Sequence, residues 1–244
     1  MARDITILVA ALNEEENIEA AIESVVTALD GVVDDYEIIV FDDGSSDRTG
    51  DLAEARARVN GRIKVVRNGV NRGIGYVFSN GIKMATKTYI SCFPGDNDMA
   101  GESLRDIAKR IGETDLIVSY MAEMKRRTIL RRVLSRSYVI ILNGLFGLHL
   151  RYYNGPFLFK TSIAQSLEIK STGLGIIAEC IVKMLKLKCD YKQIPFIHTG
   201  RTAGKSTALS LRSFVSILHT VWILIIDIHV KPLFGKRLKC GTSS

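Results

Sequence analysis

Tyr89-Ile90-Ser91-Cys92-Phe93-Pro94-Gly95-Asp96-Asn97-Asp98 passes from an apolar run directly into two carboxylates one residue apart. A short apolar run bounded by Pro and Gly reads as a buried strand. The carboxylates then lie just past its C-terminal end, where side-chain alternation and a turn let them share a hard cation. A divalent metal held by one or two carboxylates, with phosphate oxygens completing its shell, is the usual arrangement in nucleotide chemistry. Alone, Asp-x-Asp is also what a surface turn looks like, because Asp and Asn favour turns.

The segments upstream repeat the pattern. Ile5 to Ala11 reads as a buried strand, with Asn13 as the cap of a helix that carries Glu14, Glu15 and Glu16 in its first turn and runs to about Leu29. Glu37 to Phe41 reads as a second strand ending in Asp42-Asp43-Gly44-Ser45-Ser46-Asp47, followed by a helix through Ala53 and Ala57. Ile63 to Val66 reads as a short strand, and Gly69 to Gly75 as a turn into a helix that ends near Ala85. Beyond the Asp-x-Asp, Glu102 to Ile111 reads as helix and Asp115 to Ser119 as strand. Strands alternating with helices at this spacing imply an α/β fold, a mostly parallel sheet with helices on both faces. Ligands of such sheets bind beyond the carboxyl ends of the strands. Glu14, Asp42-Asp43 and Asp96-Asp98 all fall there. Each has an ordinary reading as well: a helix-start acid, a turn, and, for Asp47, a cap for the helix at Thr49.

The chain has 244 residues, enough for one α/β domain or a domain plus an appendage; it is 47% hydrophobic and carries a net charge of +7. The positive charge is clustered. Lys125, Arg126, Arg127, Arg131, Arg132 and Arg136 occur without an intervening acid, and Lys231, Lys236, Arg237 and Lys239 lie near the end. Such clusters suit phosphorylated substrates, anionic lipid or nucleic acid. Nucleic acid fits least, since the interleaved residues are aliphatic and offer no stacking platform. Residues 128 to 150 read either as a core helix with a solvated basic end or as a helix lying at a membrane interface. Phe214 to Val230 is strongly apolar but holds His219, Asp227 and His229, so an in-plane amphipathic helix is favoured over a span, with a short membrane hairpin or a docked core helix as the alternatives. Cys92, Cys180, Cys189 and Cys240 form no C-x-x-C pair and read as free thiols of a reducing compartment. Asp4 and the shortness of the Ile5 to Ala11 run argue against a signal peptide. Gly73-Ile74-Gly75 lacks the third glycine of a dinucleotide fingerprint, and the four histidines form no Ser-His-Asp or Cys-His set.

Ala11-Leu12-Asn13-Glu14-Glu15-Glu16-Asn17-Ile18, Asp42-Asp43-Gly44-Ser45-Ser46-Asp47-Arg48-Thr49, Asn71-Arg72-Gly73 and the Asp-x-Asp, in this order and spacing, resemble glycosyltransferase family 2 with the GT-A fold. Within it the chain is most similar to the dolichol-phosphate mannosyltransferase and polyprenyl-phosphate glycosyltransferase group. The resemblance implies a catalytic domain over residues 1–210, with 128–150 as an interfacial acceptor helix, and an apolar juxtamembrane helix and basic tail over 211–244. It implies that Ala11, Asn13, Glu14, Asp42, Asp43, Gly73 and Asp96 bind the donor, a UDP- or GDP-sugar, and that Asp96 and Asp98 hold Mg2+ or Mn2+. Gly173-Leu174-Gly175 through Glu179, then Ile194-Pro195 and Arg201 to Ser206, resembles the group's closing motif. There Arg201 and Lys205, with Asp98, would serve the reaction, and Arg131, Arg132, Arg136 and Ser206 the acceptor phosphate.

The departures cluster on the acceptor side. Met99-Ala100 follows the Asp-x-Asp where a ligand is common, Ser119-Tyr120-Met121 lacks the group's arginine, and Arg151 to Phe157 replaces an Asp-x-x-Ser-Gly-Phe stretch. The implied activity is inverting transfer to a polyprenyl phosphate at the cytoplasmic face of a membrane, by a peripheral or monotopic protein meeting an anionic surface. An anionic acceptor oxygen needs no general base. A sugar-hydroxyl acceptor is the alternative and would need a carboxylate such as Asp98 or Glu179. A nonenzymatic nucleotide-sugar-binding membrane protein is a third reading. His198 is the histidine nearest the closing motif.

Overall fold

The computed structural model describes residues 2–121, 129–197 and 211–230. Seven strands form one sheet: β1 (Asp4–Ala11), β2 (Asp35–Asp42), β3 (Ile63–Arg67), β4 (Tyr89–Pro94), β5 (Leu116–Met121), β6 (Phe157–Lys160) and β7 (Tyr191–Phe196). Their order is β3-β2-β1-β4-β6-β5-β7. β1 pairs in parallel with β2 and β4, β2 with β3, and β5 with β7. β6 alone among them is antiparallel, wedged between β4 and β5. This mostly parallel α/β architecture is the one expected, but the antiparallel wedge was not anticipated. Phe157-Leu158-Phe159 is too short for its apolar run to announce a strand, let alone its direction.

The alternation of β1 explains the layers. Ile5, Ile7, Val9 and Ala11 join one buried cluster with α1 (Ile18–Leu29) and α4 (Gly101–Ala108). Leu8, with Ile39 and Phe41 of β2, joins a second on the opposite face with α3 (Ile74–Met84) and α7 (Ile176–Lys186). A strand covered on both faces reads as a near-continuous apolar run, as β1 does from Ile7 to Ala11, while its buried Thr6 hydroxyl donates to Glu37 Oε1 at 2.7 Å. Each large apolar side chain withdrawn from water stabilises the fold by about 2 kcal/mol. α2 (Thr49–Val59) packs on β3, and the short α6 (Thr161–Ser166) follows β6.

The C-terminal elements are α5 (Ile129–Phe146) and α8 (Leu211–Ile225), the latter continued by a π-helical turn over Ile226–Val230. α8 is docked against the core: Thr220 and Leu224 are fully buried and Ile223 nearly so. Its outer side is not covered, with Val215, Leu218 and Trp222 57, 54 and 62% exposed. No helix among the described residues is long and apolar enough to cross a membrane.

Candidate functional site

The ends of β2, β1 and β4 stand side by side, and each opens into one of the acidic loops. Two backbone bonds fix their spacing: the Asp43 N–H donates to the Ala11 carbonyl at 2.9 Å, and the Gly95 N–H to the Ala10 carbonyl at 3.1 Å. The first and second loops are then laced together. Asn13 N–H donates to Ser45 Oγ (2.9 Å), Ser46 N–H to Asn13 Oδ1 (2.9 Å), and Glu14 N–H to Thr49 Oγ1 (2.8 Å). Glu15 N–H reaches Asp47 Oδ2 at 3.2 Å.

The expected cap at Asn13 is therefore corrected. Its φ is +54° and α1 starts only at Ile18, after a turn in which the Glu14 carbonyl accepts from the N–H groups of Asn17 and Ile18. Asn tolerates this left-handed conformation, and the bond from Ser46 rewards it. Glu14 lies in that turn, its Oε2 accepting from Asn17 Nδ2 at 2.9 Å. Asp47 is not the cap of α2, whose N-cap is Arg48 without a side-chain cap bond; it stands one residue earlier, with Oδ1 accepting the Thr49 N–H at 2.9 Å. Partial burial raises its pKa, but bonds from Thr49 and from the Glu15 N–H outweigh that and hold the carboxyl below its usual range.

Asp42 and Asp43 are both buried. Asp42 Oδ1 accepts from the Ser45 N–H at 2.9 Å, and Oδ2 lies 3.5 Å from Arg67 Nε. Asp43 organises the third strand's exit: Oδ1 accepts from Asn68 Nδ2 (2.8 Å) and the Arg72 N–H (3.0 Å), Oδ2 from the Gly73 N–H (2.8 Å). Gly44, at φ +82°, presses against the Val70-Asn71 backbone so closely that a Cβ would not fit. The Asp-Gly pair and Asn71-Arg72-Gly73 are thus one structural unit, which sequence spacing cannot display. In the third loop Asn97 takes φ +54° and the Asp98 N–H donates to Asp96 Oδ1 at 3.2 Å, so both carboxylates share one tight turn. Just beyond that turn, the Ala100 N–H donates to the Ile197 carbonyl at 3.4 Å and Ser103 Oγ of α4 accepts the Ile197 N–H at 2.9 Å.

Among the described residues no three His, Cys, Asp or Glu side chains gather into a metal cage. Two half-buried carboxylates in one turn do fit a hard cation whose other ligands come from a diphosphate.

The acceptor-side residues are less gathered. On α5, Arg132 is half-buried and Arg136 exposed, on the same helix as exposed Val133, Leu134, Ile140 and Ile141. Arg131 lies in the first turn of α5, and its side chain is outside the described residues, as are His198, Arg201, Lys205 and Ser206. α5 ends at Phe146, short of the expected residue 150, and Gly147 turns the chain with φ +59°. Arg151 sits 4.4 Å over the Tyr120 ring at the end of β5, a contact that no motif signalled. Glu179, considered as a base for a hydroxyl acceptor, is fully buried and bonded to Lys183 Nζ and to the N–H groups of Lys170 and Ser171. An enclosed and saturated carboxylate is not open to substrate, so that role is withdrawn.

A family model, Glycosyl transferase family 2, matches residues 6–169. The chain belongs to glycosyltransferase family 2. Among curated relatives, the Bacillus subtilis glycosyltransferase EpsH is 32% identical over 123 residues, which is 50% of this chain and 35% of that protein. A dolichol-phosphate mannosyltransferase of Pyrococcus furiosus is 23% identical over 225 residues, 88% of this chain and 62% of that protein. The chain thus spans about a third of the length of EpsH. Among solved structures, the glucosyl-3-phosphoglycerate synthase of Mycobacterium tuberculosis, in complex with Mn2+, UDP and glucosyl-3-phosphoglycerate, superposes with a TM-score of 0.67 at 21% identity. The match covers 92% of this family 2 chain and 79% of the synthase, and it shows the shared fold.

Proposed function

We propose that this chain is an inverting glycosyltransferase that moves a sugar from a nucleotide diphosphate to a polyprenyl phosphate at a membrane surface. The observation that carries the reading is the convergence of the Glu14, Asp42-Asp43 and Asp96-Asp98 loops on adjacent strand ends. Asn13, Glu14 and Asp42, with Ala11 beneath, line the nucleoside side. Asp43 keeps Gly73 in place, so that the backbone approaches the donor closely. Asp96 and Asp98 would hold Mg2+ or Mn2+, which when bound neutralises charge on the leaving diphosphate. Support for metal and donor classes comes from the M. tuberculosis synthase, solved with Mn2+ and UDP.

For the acceptor, support comes from α5. Arg132 and Arg136 share it with exposed aliphatic side chains, a combination suited to a lipid carrying a phosphate. The P. furiosus relative, named for dolichol phosphate, points the same way. A phosphate oxygen is already anionic, so the chain's task is to position it with arginine and to exclude water. Arg201, Lys205 and Ser206 would contribute to that task. In this reading residues 1–210 are the catalytic domain, and 211–244 hold it to the cytoplasmic face of the membrane.

The deciding experiment is a screen of UDP- and GDP-sugars with Mn2+ or Mg2+, reading transfer to a short polyprenyl phosphate. Transfer to a saccharide hydroxyl but not to the lipid phosphate would overturn the acceptor. Nucleotide binding without turnover on either acceptor would leave a binding protein.

A further inference from the structure

A buried ion cluster outside the nucleotide rim anchors the C-terminal helix. Lys183 Nζ donates to Glu179 Oε1 at 2.6 Å, to the Glu168 carbonyl at 2.6 Å and to Asp227 Oδ2 at 2.8 Å. Lys170 Nζ donates to Asp227 Oδ1 at 2.6 Å. Glu179 Oε2 accepts the Ser171 N–H at 2.7 Å, and Oε1 accepts the Lys170 N–H at 3.0 Å. The two lysines balance Glu179 and Asp227 in charge. Charges this enclosed persist only when paired and hydrogen-bonded, and removing one partner leaves the rest uncompensated. Asp227 comes from the π-helical turn after α8, whereas the other three belong to α7 and the strip that leads into it.

That strip, residues 168–175, lies between α8 and the donor loop. On one side Gly173 and Gly175 touch Ser216 and Thr220 with no room for a Cβ, and Ser171 Oγ is 3.0 Å from Thr220 Oγ1. On the other side Gly75, at the start of α3, lies so close to the Thr172 carbonyl that a Cβ would collide. Gly75 follows Gly73, whose N–H is held by Asp43. An unbroken series of contacts therefore runs from Asp227 through Lys170–Gly175 to Gly73 and Asp43.

We propose that Asp227 is a positioning residue for the donor loop: by clamping α8 onto Lys170 and Lys183, it sets the strip on which Gly73 and Gly75 rest. The proposal rests on the reading that the Asp43–Gly73 rim receives the nucleotide. Its consequence is that the seating of α8, whose outer side exposes Val215, Leu218 and Trp222, is felt at the donor site.

The test compares wild type, Asp227→Asn and Asp227→Glu by calorimetric titration with UDP and with GDP in the presence of Mn2+, and by amide hydrogen exchange. Asp227→Asn is expected to weaken nucleotide binding about tenfold, the size of an ordinary coupling between sites. Turnover at saturating donor should change by no more than about twofold, since the reacting groups are untouched. Exchange should quicken at 72–76 and 171–175, and Asp227→Glu should restore part of both effects. Wild-type affinity with unchanged exchange at 72–76, even alongside a lower melting temperature, would reduce Asp227 to a stability residue and overturn the proposal. If wild type binds neither nucleotide, the donor reading fails, and exchange at 72–76 alone decides the positioning role. If Asp227→Asn does not fold, Gly175→Ala disturbs the same seat through Thr220 and is judged by the same readouts.

Discussion

At the ends of β1, β2 and β4, carboxylates and short polar side chains take up backbone N–H groups, so three loops are held by bonds of fixed direction. On α5 and α8 the opposite holds: one side of each helix packs into the core, the other exposes Ile140, Ile141, Leu218 and Trp222, and the end of α8 is fixed by a lysine–carboxylate pair to α7. On the proposed reading the first region holds one geometry for a small polar ligand and the second presents apolar area to a lipid, so donor precision and acceptor tolerance would be separate and each region open to its own perturbation.

The largest effect should come from the donor side. Asp98→Ala is expected to lower kcat at least a hundredfold, several kcal/mol of charge stabilisation, with an unchanged circular dichroism spectrum. Wild-type turnover in that variant would break the comparison at its centre. Next, Asp43→Ala removes the acceptor for Asn68, Arg72 and Gly73 together. Urea unfolding should register a loss of about 3 kcal/mol, since each charge-assisted bond contributes about 1.5 to 3 kcal/mol and such bonds do not add fully. On the other side, Arg132→Gln with Arg136→Gln should weaken sedimentation with anionic vesicles by about 2 kcal/mol, about 1 per arginine, and leave nucleotide binding unchanged. Loss of nucleotide affinity there would erase the division.

The smallest effect is a dependence on acid. Burial raises the Glu37 carboxyl, but bonds from Lys64, Thr86 and Thr6 outweigh it, so its pKa ends below the ordinary value of 4.5. Asp35 is likewise held low, chiefly by its hydrogen bond with Lys87. Groups with depressed folded pKa values stabilise the fold above the unfolded value, and that contribution is lost as pH falls through the folded one. Melting temperature should therefore decline below about pH 4.5, and Glu37→Gln should flatten the decline.

The donor half was legible in the sequence because its determinants are local. A strand, a turn and an acid within a few residues identify themselves, and the order of three such units suggested a shared edge. Asn13 was misplaced as a cap because its partner, Ser46, lies on the next loop. Glu179 was weighed as a base because enclosure by Lys183 and Ser171 is a tertiary fact. The direction of β6 and the stacking of Arg151 on Tyr120 are non-local in the same sense.

The antiparallel course of β6 carries one further consequence. Because it runs against its neighbours, its beginning, not its end, lies at the edge that carries the acidic loops, where Gly155 touches the Ser119 carbonyl. The chain therefore leaves the sheet at Met121 and rejoins it at Phe157 on the same rim. Grafting residues 122 to 156 from a relative should exchange acceptor preference while the nucleotide half stays as it is.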